Sequence, residues 1–254
     1  MKPLENKTAI VSGGLGDIGR AIARELASRG ANVAIAGRRL PAAAEEELGI
    51  LRGYGVGARY DSVDVADGEA VQNWIAAVER ELGTPSLVVP CAATVTRRGV
   101  RDVTPAEWTA ELRINLDGSF HVAQSAAVRM IEKRIRGHIV FVGSWVAERP
   151  MPRIAAYCVS KAGVRMLMKC MALEFAPHGI LVNEVAAGYV DAGLTGQTFQ
   201  ADPARRQRLV DETPVHKIVT AEEVAWLVAQ VCDPHNENVT GTAVLVDGGL
   251  SLRT

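Results

Sequence analysis

Tyr157 and Lys161 stand four apart in the run Tyr157-Cys158-Val159-Ser160-Lys161. On a helix, residues at i and i+4 share a face, so the phenol and the ammonium are neighbours. A tyrosine hydroxyl ordinarily titrates near pH ~10. A cation beside it favours the phenolate and makes the group a usable acid or base near neutrality. A second constellation lies near the N-terminus: Ser12-Gly13-Gly14-Leu15-Gly16-Asp17-Ile18-Gly19. Gly14, Gly16 and Gly19 satisfy a G-x-G-x-x-G template. Glycines there allow a tight turn and a close approach of backbone to a pyrophosphate. The start of the following helix adds free N–H groups and the positive end of a dipole.

The elements that must position these groups alternate along the whole chain. Apolar runs at 8–12, 32–36, 58–63, 87–91, 138–142, 180–185 and 243–246 read as strands. Between them, helical patterns cover 17–29, 41–52, 68–82, 105–116, 118–134, 155–175 and 222–231. Ile18, Ile22 and Leu26 give the first helix an apolar stripe. Strand–helix alternation from end to end predicts an α/β fold. The economical form is a doubly wound, Rossmann-type three-layer sandwich around a mostly parallel sheet of about seven strands. No linker or repeat divides the chain, so residues 1–254 read as one domain. The least regular stretch, 188–217, reads as a lid over the substrate.

Composition removes several function classes. With 28 basic and 29 acidic side chains and a net charge of −1, nothing suggests a nucleic-acid or membrane partner. The four cysteines, Cys91, Cys158, Cys170 and Cys232, have no C-x-x-C spacing and read as buried small hydrophobes. No metal site is expected. The chain reaches its first apolar strand almost at once, without a charged-then-apolar leader, and reads as a cytoplasmic protein.

Tyr157-x-x-x-Lys161, Ser144 upstream of it and the glycine-rich turn together resemble the short-chain dehydrogenase/reductase family, in its single-domain branch. Asp64-Val65, Ile114-Asn115-Leu116-x-Gly118 and Val246-Asp247-Gly248-Gly249 extend the resemblance along the chain. It implies that Tyr157 exchanges a proton with the substrate oxygen and that Ser144 hydrogen-bonds that oxygen. Lys161 would lower the phenol pKa and hold the nicotinamide ribose, and Asn115 would hold a water linking Lys161 to solvent. Asp64 and Val65 would meet the adenine. The wider cofactor contacts implied are Ser12, Gly13, Leu15, Asp17, Ile18, Gly19, Arg38, Arg39, Cys91, Ala92, Ala93, Gly188 and Val190. A homotetramer or dimer is implied as well.

Cofactor choice is read from the end of the second strand, Ala36-Gly37-Arg38-Arg39. The carboxylate that would accept from ribose hydroxyls is absent, and two guanidinium groups suit a 2′-phosphate. NADP(H) is therefore preferred over NAD(H), with NAD(H) possible. Four departures from the family pattern touch the cofactor: Asp17 for a glycine, Pro90-Cys91-Ala92-Ala93 for N-N-A-G, Ala187 for a proline and Ala192 for a threonine. Asp17 is expected to point into solvent or to cap the helix, and Thr195 to supply the missing hydroxyl. Pro90 removes a backbone donor, which is costly in a central strand.

The substrate side falls to Thr94, Thr96 and Arg97, to Trp145, Val146, Arg149, Met151 and Arg153, and to Tyr189 and Leu194. That mix admits a small-molecule carbonyl or alcohol: a 3-oxoacyl group, a sugar or polyol, or a small ketone. Arg149 and Arg153 read as exposed loop arginines. The rival is a dinucleotide-binding regulatory protein of the same fold with little or no turnover.

Overall fold

In a computed structural model of the chain, which describes residues 2–193, 196 and 202–253, seven strands pair into one parallel sheet. They are β1 (Thr8–Ser12), β2 (Asn32–Gly37), β3 (Ala58–Ser62), β4 (Leu87–Pro90), β5 (Gly137–Ser144), β6 (Ile180–Ala187) and β7 (Ala243–Val246). Their order is β3-β2-β1-β4-β5-β6-β7. The order reverses between β1 and β4, and that switch point opens a crevice at the carboxyl ends of the strands.

Every residue of β5 and β6 is buried, as in a parallel strand covered on both faces. On one face, Ala9, Val11, Val33 and Ile35 pack against α1 (Asp17–Ser28), α2 (Glu45–Arg52) and α8 (Ala221–Val231). On the other, Ile10, Ala34, Val88 and Phe141 meet α3 (Gly68–Leu82), α5 (Gly118–Glu132) and α6 (Ala155–Phe175). The three-layer sandwich follows from this alternation of side chains across each strand.

Three local features differ from the expected pattern. The helix predicted over 105–116 is α4 (Pro105–Leu112), which runs through a π-helical turn at Arg113–Asp117 into α5. Such single turns re-aim a side chain, here Asn115. The irregular stretch expected over 188–217 contains a helix, α7 (Pro203–Glu212), begun by Pro203 at its first position and by Asp202, whose carboxylate accepts from the Arg205 N–H at 2.9 Å. Among the cysteines only Cys232 is buried. Cys91 and Cys158 are half-buried and Cys170 is exposed. The burial expected of all four is corrected to one, because Cys91 lines the cleft, Cys158 borders the Trp145–Ile154 cluster and Cys170 faces outward from α6.

Pro90 ends β4 opposite Ser12 of β1, beyond the β4–β5 ladder, which pairs only Leu87↔His138 and Val88↔Ile139. No helix among the described residues is long and apolar enough to cross a membrane.

His138, at the opposite end of the sheet from the crevice, is buried and its Nδ1 has no hydrogen-bond partner. Burial pushes its pKa down to about 4, helped by Lys7. An imidazole depressed in the native state is protonated first in the unfolded chain, so its contribution to stability is complete above pH ~6.5 and falls away toward pH ~4. Between pH 7 and pH 5 the wild type should lose about 2 kcal/mol of unfolding free energy through this group. Urea titrations at the two pH values check it. His138→Phe should show a pH-induced loss smaller by that amount.

Candidate active site

The crevice is a cleft of about 690 Å³. Of the residues assigned to it from sequence, Gly13, Leu15, Asp17, Ile18, Gly19, Arg38, Arg39, Asp64, Val65, Cys91, Ala92, Ala93, Ser144, Tyr157, Lys161, Gly188 and Val190 line it. Two do not. Ser12 is buried behind the turn, where its hydroxyl accepts from the N–H groups of Cys91 at 3.1 Å and Ala92 at 3.3 Å. This bond ties β1 to the strand end at which the family's asparagines are missing. Asn115 is also fully buried. Thr195 and Leu194 lie outside the described residues.

The glycine turn is built for close approach. Gly13 has φ +71°, and a Cβ there would lie 2.8 Å from the Ala92 Cα. A Cβ on Gly19 would lie 2.2 Å from the Gly13 carbonyl oxygen. The start of α1 has no side-chain cap, which leaves the N–H groups of its first turn without a side-chain acceptor at the cleft. A dinucleotide pyrophosphate fits this donor set. At the far end of the cleft, Arg38 and Arg39 are exposed, and neither has a carboxylate within ion-pair distance among the described residues.

Asp17 neither caps α1 nor points into solvent without a partner. Its carboxylate accepts from the Gly193 N–H, beyond β6, at 2.7 Å. Arg206 of α7 ties the same segment through Asp191 at 2.6 Å. The negative charge thus sits beside the donor-rich turn, held there by the Gly193 N–H. Asp17→Asn keeps an acceptor for Gly193 and removes the charge. It should tighten NADPH binding about fivefold, the scale of one screened charge–charge term. Fluorescence titration reads this directly, and an unchanged Kd would place the carboxylate out of electrostatic reach of the phosphates.

Tyr157 and Lys161 meet on α6 as the spacing predicts. The Lys161 Nζ lies 5.6 Å from the Tyr157 ring centroid and donates to the Val142 carbonyl at 2.8 Å. Ser144 ends β5, and its hydroxyl accepts weakly from the Val146 N–H at 3.4 Å. The electrostatics differ from the sequence expectation. Burial pushes the Tyr157 phenol above its ordinary range, and the Ser144 side chain pulls it back. Burial likewise lowers Lys161, opposed by Cys91 and Glu184. Desolvation therefore dominates both groups, where spacing alone suggested that the cation would.

The Asn115 side chain makes three hydrogen bonds. Its Nδ2 donates to the Thr94 carbonyl at 2.9 Å and to the Ser160 hydroxyl at 3.1 Å, and its Oδ1 accepts from the Thr94 N–H at 2.8 Å. The side chain braces the chain after β4 against α6. Sequence reasoning missed Glu111, a buried α4 carboxylate that accepts from the Thr96 N–H at 2.8 Å and is pushed up by burial. It also missed the buried pair Arg165–Glu184. A readable signal existed for the latter: a charged residue inside the apolar run Ile180-Leu181-Val182-Asn183-Glu184-Val185 demands a partner.

A family model described as enoyl-(acyl carrier protein) reductase, of the short-chain alcohol dehydrogenase class, matches residues 14–251. The chain belongs to the short-chain dehydrogenase/reductase family. It is 30% identical to the 2,3-dihydro-2,3-dihydroxybenzoate dehydrogenase of Bacillus subtilis, across 99% of this chain and 98% of that one. It is 34% identical to the galactitol 2-dehydrogenase of Rhizobium johnstonii, across 98% and 96%. A crystal structure of a short-chain type dehydrogenase/reductase from Mycobacterium marinum superposes with a TM-score of 0.89 at 28% identity, covering 97% of this chain and 96% of that one. This short-chain dehydrogenase/reductase is an enzyme that interconverts CH–OH and C=O groups with a nicotinamide dinucleotide.

Proposed function

We propose that the enzyme is an NADP(H)-dependent reductase of carbonyl compounds, working in reverse on secondary alcohols. The observation that carries this reading is the layout of one cleft. Tyr157, Ser144 and Lys161 stand at one end, and the exposed guanidinium groups of Arg38 and Arg39 at the other. The glycine turn would hold the pyrophosphate, the two arginines would pair with a 2′-phosphate, and Asp64 and Val65 would take the adenine.

A dinucleotide in this cleft would supply or accept the hydride. The protein's own part is proton handling and orientation. Tyr157, kept protonated by burial, delivers a proton to the carbonyl oxygen as it becomes an alcohol. Ser144 donates to the same oxygen and stabilises the charge that builds there. Lys161, fixed by the Val142 carbonyl, supplies positive charge beside the phenol and a donor for the ribose. Asn115 holds Thr94 and Ser160 in place so that the wall of the cleft and the catalytic helix keep their spacing.

Substrates are small carbonyls or alcohols: sugars and polyols, as the name of the Rhizobium relative suggests, 3-oxoacyl groups, as the name of a 30% identical 3-oxoacyl-(acyl-carrier-protein) reductase of Aquifex aeolicus suggests, or small ketones. Arg149 and Arg153 are exposed and take no part in the catalytic core. The chain works as a single unit, with 188–217 as its lid, in the cytoplasm. It assembles as a homotetramer or dimer, for which the exposed Val159, Met166 and Leu173 along one face of α6 supply apolar surface. Fluorescence titration with NADPH and NADH, followed by oxidation assays across carbonyls of these three classes, tests the reading. NADPH should bind more tightly and be consumed with at least one class. Binding without consumption would favour a non-catalytic role.

A further inference from the structure

Below the cleft lies a buried ion pair that the reaction as described does not use. Arg165 donates through Nε and Nη2 to the two carboxylate oxygens of Glu184, each at 2.8 Å, in a two-pronged match. Glu184 is fully buried and the Arg165 side chain is 7% exposed. The same Nη2 donates to the Ser144 carbonyl at 3.1 Å, and Nη1 meets the exposed Glu148 at 2.7 Å.

Tyr157, Lys161 and Arg165 succeed one another at intervals of four and occupy one face of α6. That face grips the end of β5 at alternate carbonyls: Lys161 holds Val142 and Arg165 holds Ser144. Glu184 reaches Arg165 from β6 across Gly143, where a Cβ would lie 1.8 Å from the carboxylate Oε1. Three neighbouring elements thus meet at the backbone of Ser144, the last residue of its strand. Stability alone is a poor reason for such a pair, since apolar residues of similar volume usually hold a buried site at least as well. A planar fork locked by a carboxylate does fix a third group in space.

We propose that the Arg165–Glu184 pair is a positioning device for Ser144, holding its backbone so that the hydroxyl keeps its place beside the Tyr157 phenol. The proposal rests on the catalytic role given to Ser144 above.

The test replaces both charges with side chains of similar volume, Arg165→Met with Glu184→Met, and adds Arg165→Lys. The double variant should fold with a Tm near that of the wild type and bind NADPH with unchanged Kd. Its kcat should fall on the order of 10²-fold with little change in KM, the loss that a misplacement of ~1 Å carries. Arg165→Lys can satisfy Glu184 but has no fork for Ser144 as well, so it should restore only part of kcat. A crystal structure of the double variant should show Ser144 shifted relative to Tyr157. A stable double variant with native kcat and an unmoved Ser144 overturns the proposal. If the double variant does not fold, Arg165→Lys carries the same readouts, and native kcat in it overturns the proposal equally. A wild type that turns over no carbonyl would instead sink the catalytic reading, while the position of Ser144 in the crystal still decides the positioning role.

Discussion

Tyr157→Phe should abolish nearly all turnover, lowering kcat by about 10³-fold, within the range a positioned acid or base contributes. The substitution removes one oxygen and keeps the ring, so the apolar cluster that includes Trp145, Val146, Ile154 and Tyr189 stays packed. NADPH binding and Tm should therefore hold while chemistry stops. The phenol is the group that a carbonyl oxygen needs once hydride has reached its carbon. Ser144 can donate a hydrogen bond, but a serine hydroxyl is too weak an acid to release its proton near neutrality. Stopped-flow measurement of NADPH oxidation separates the two effects: Kd unchanged, rate lost. A variant within tenfold of native kcat would mean that another group carries the proton.

Arg38→Ala with Arg39→Ala should reverse the cofactor preference. Each exposed guanidinium facing a phosphate is worth about 1.5 kcal/mol, the low end for a hydrogen bond to a charged group. The pair together should weaken NADPH binding roughly 100-fold. NADH has no 2′-phosphate and should bind as before. Tyr60 sits beneath this corner, its hydroxyl donating to the Arg39 carbonyl at 2.6 Å with the Gly37 carbonyl at 2.9 Å, so the backbone should survive loss of the side chains. Isothermal titration with both dinucleotides gives the ratio. Equal losses for the two would show that the arginines serve the common part of the cofactor.

The sheet and the catalytic helix were legible because their signals are local. A buried parallel strand is an apolar run bounded by turns, and a Tyr–Lys pair at i, i+4 needs only a helix to bring it together. The helix over 155–175 has the bounds predicted from its pattern. What escaped depends on partners remote in sequence. Asp17 looked misplaced among phosphate-binding glycines until its acceptor role toward Gly193, 176 positions away, became visible. Ser12 was assigned to the cofactor because it sits in the motif, yet its hydroxyl faces the strand end at Cys91. The π turn at Asn115 leaves no periodicity signal, since five residues shift a pattern too little to read. The helix α7 was readable from Asp202-Pro203 and was masked by the polar, glycine-rich segment before it.

Direct transfer of hydride to a carbonyl carbon is the central claim. NADPH carrying deuterium at the transferring position of nicotinamide C4 should leave that deuterium on the carbinol carbon of the alcohol product, detectable by mass spectrometry. An alcohol product without deuterium, at a rate matching cofactor consumption, would contradict it.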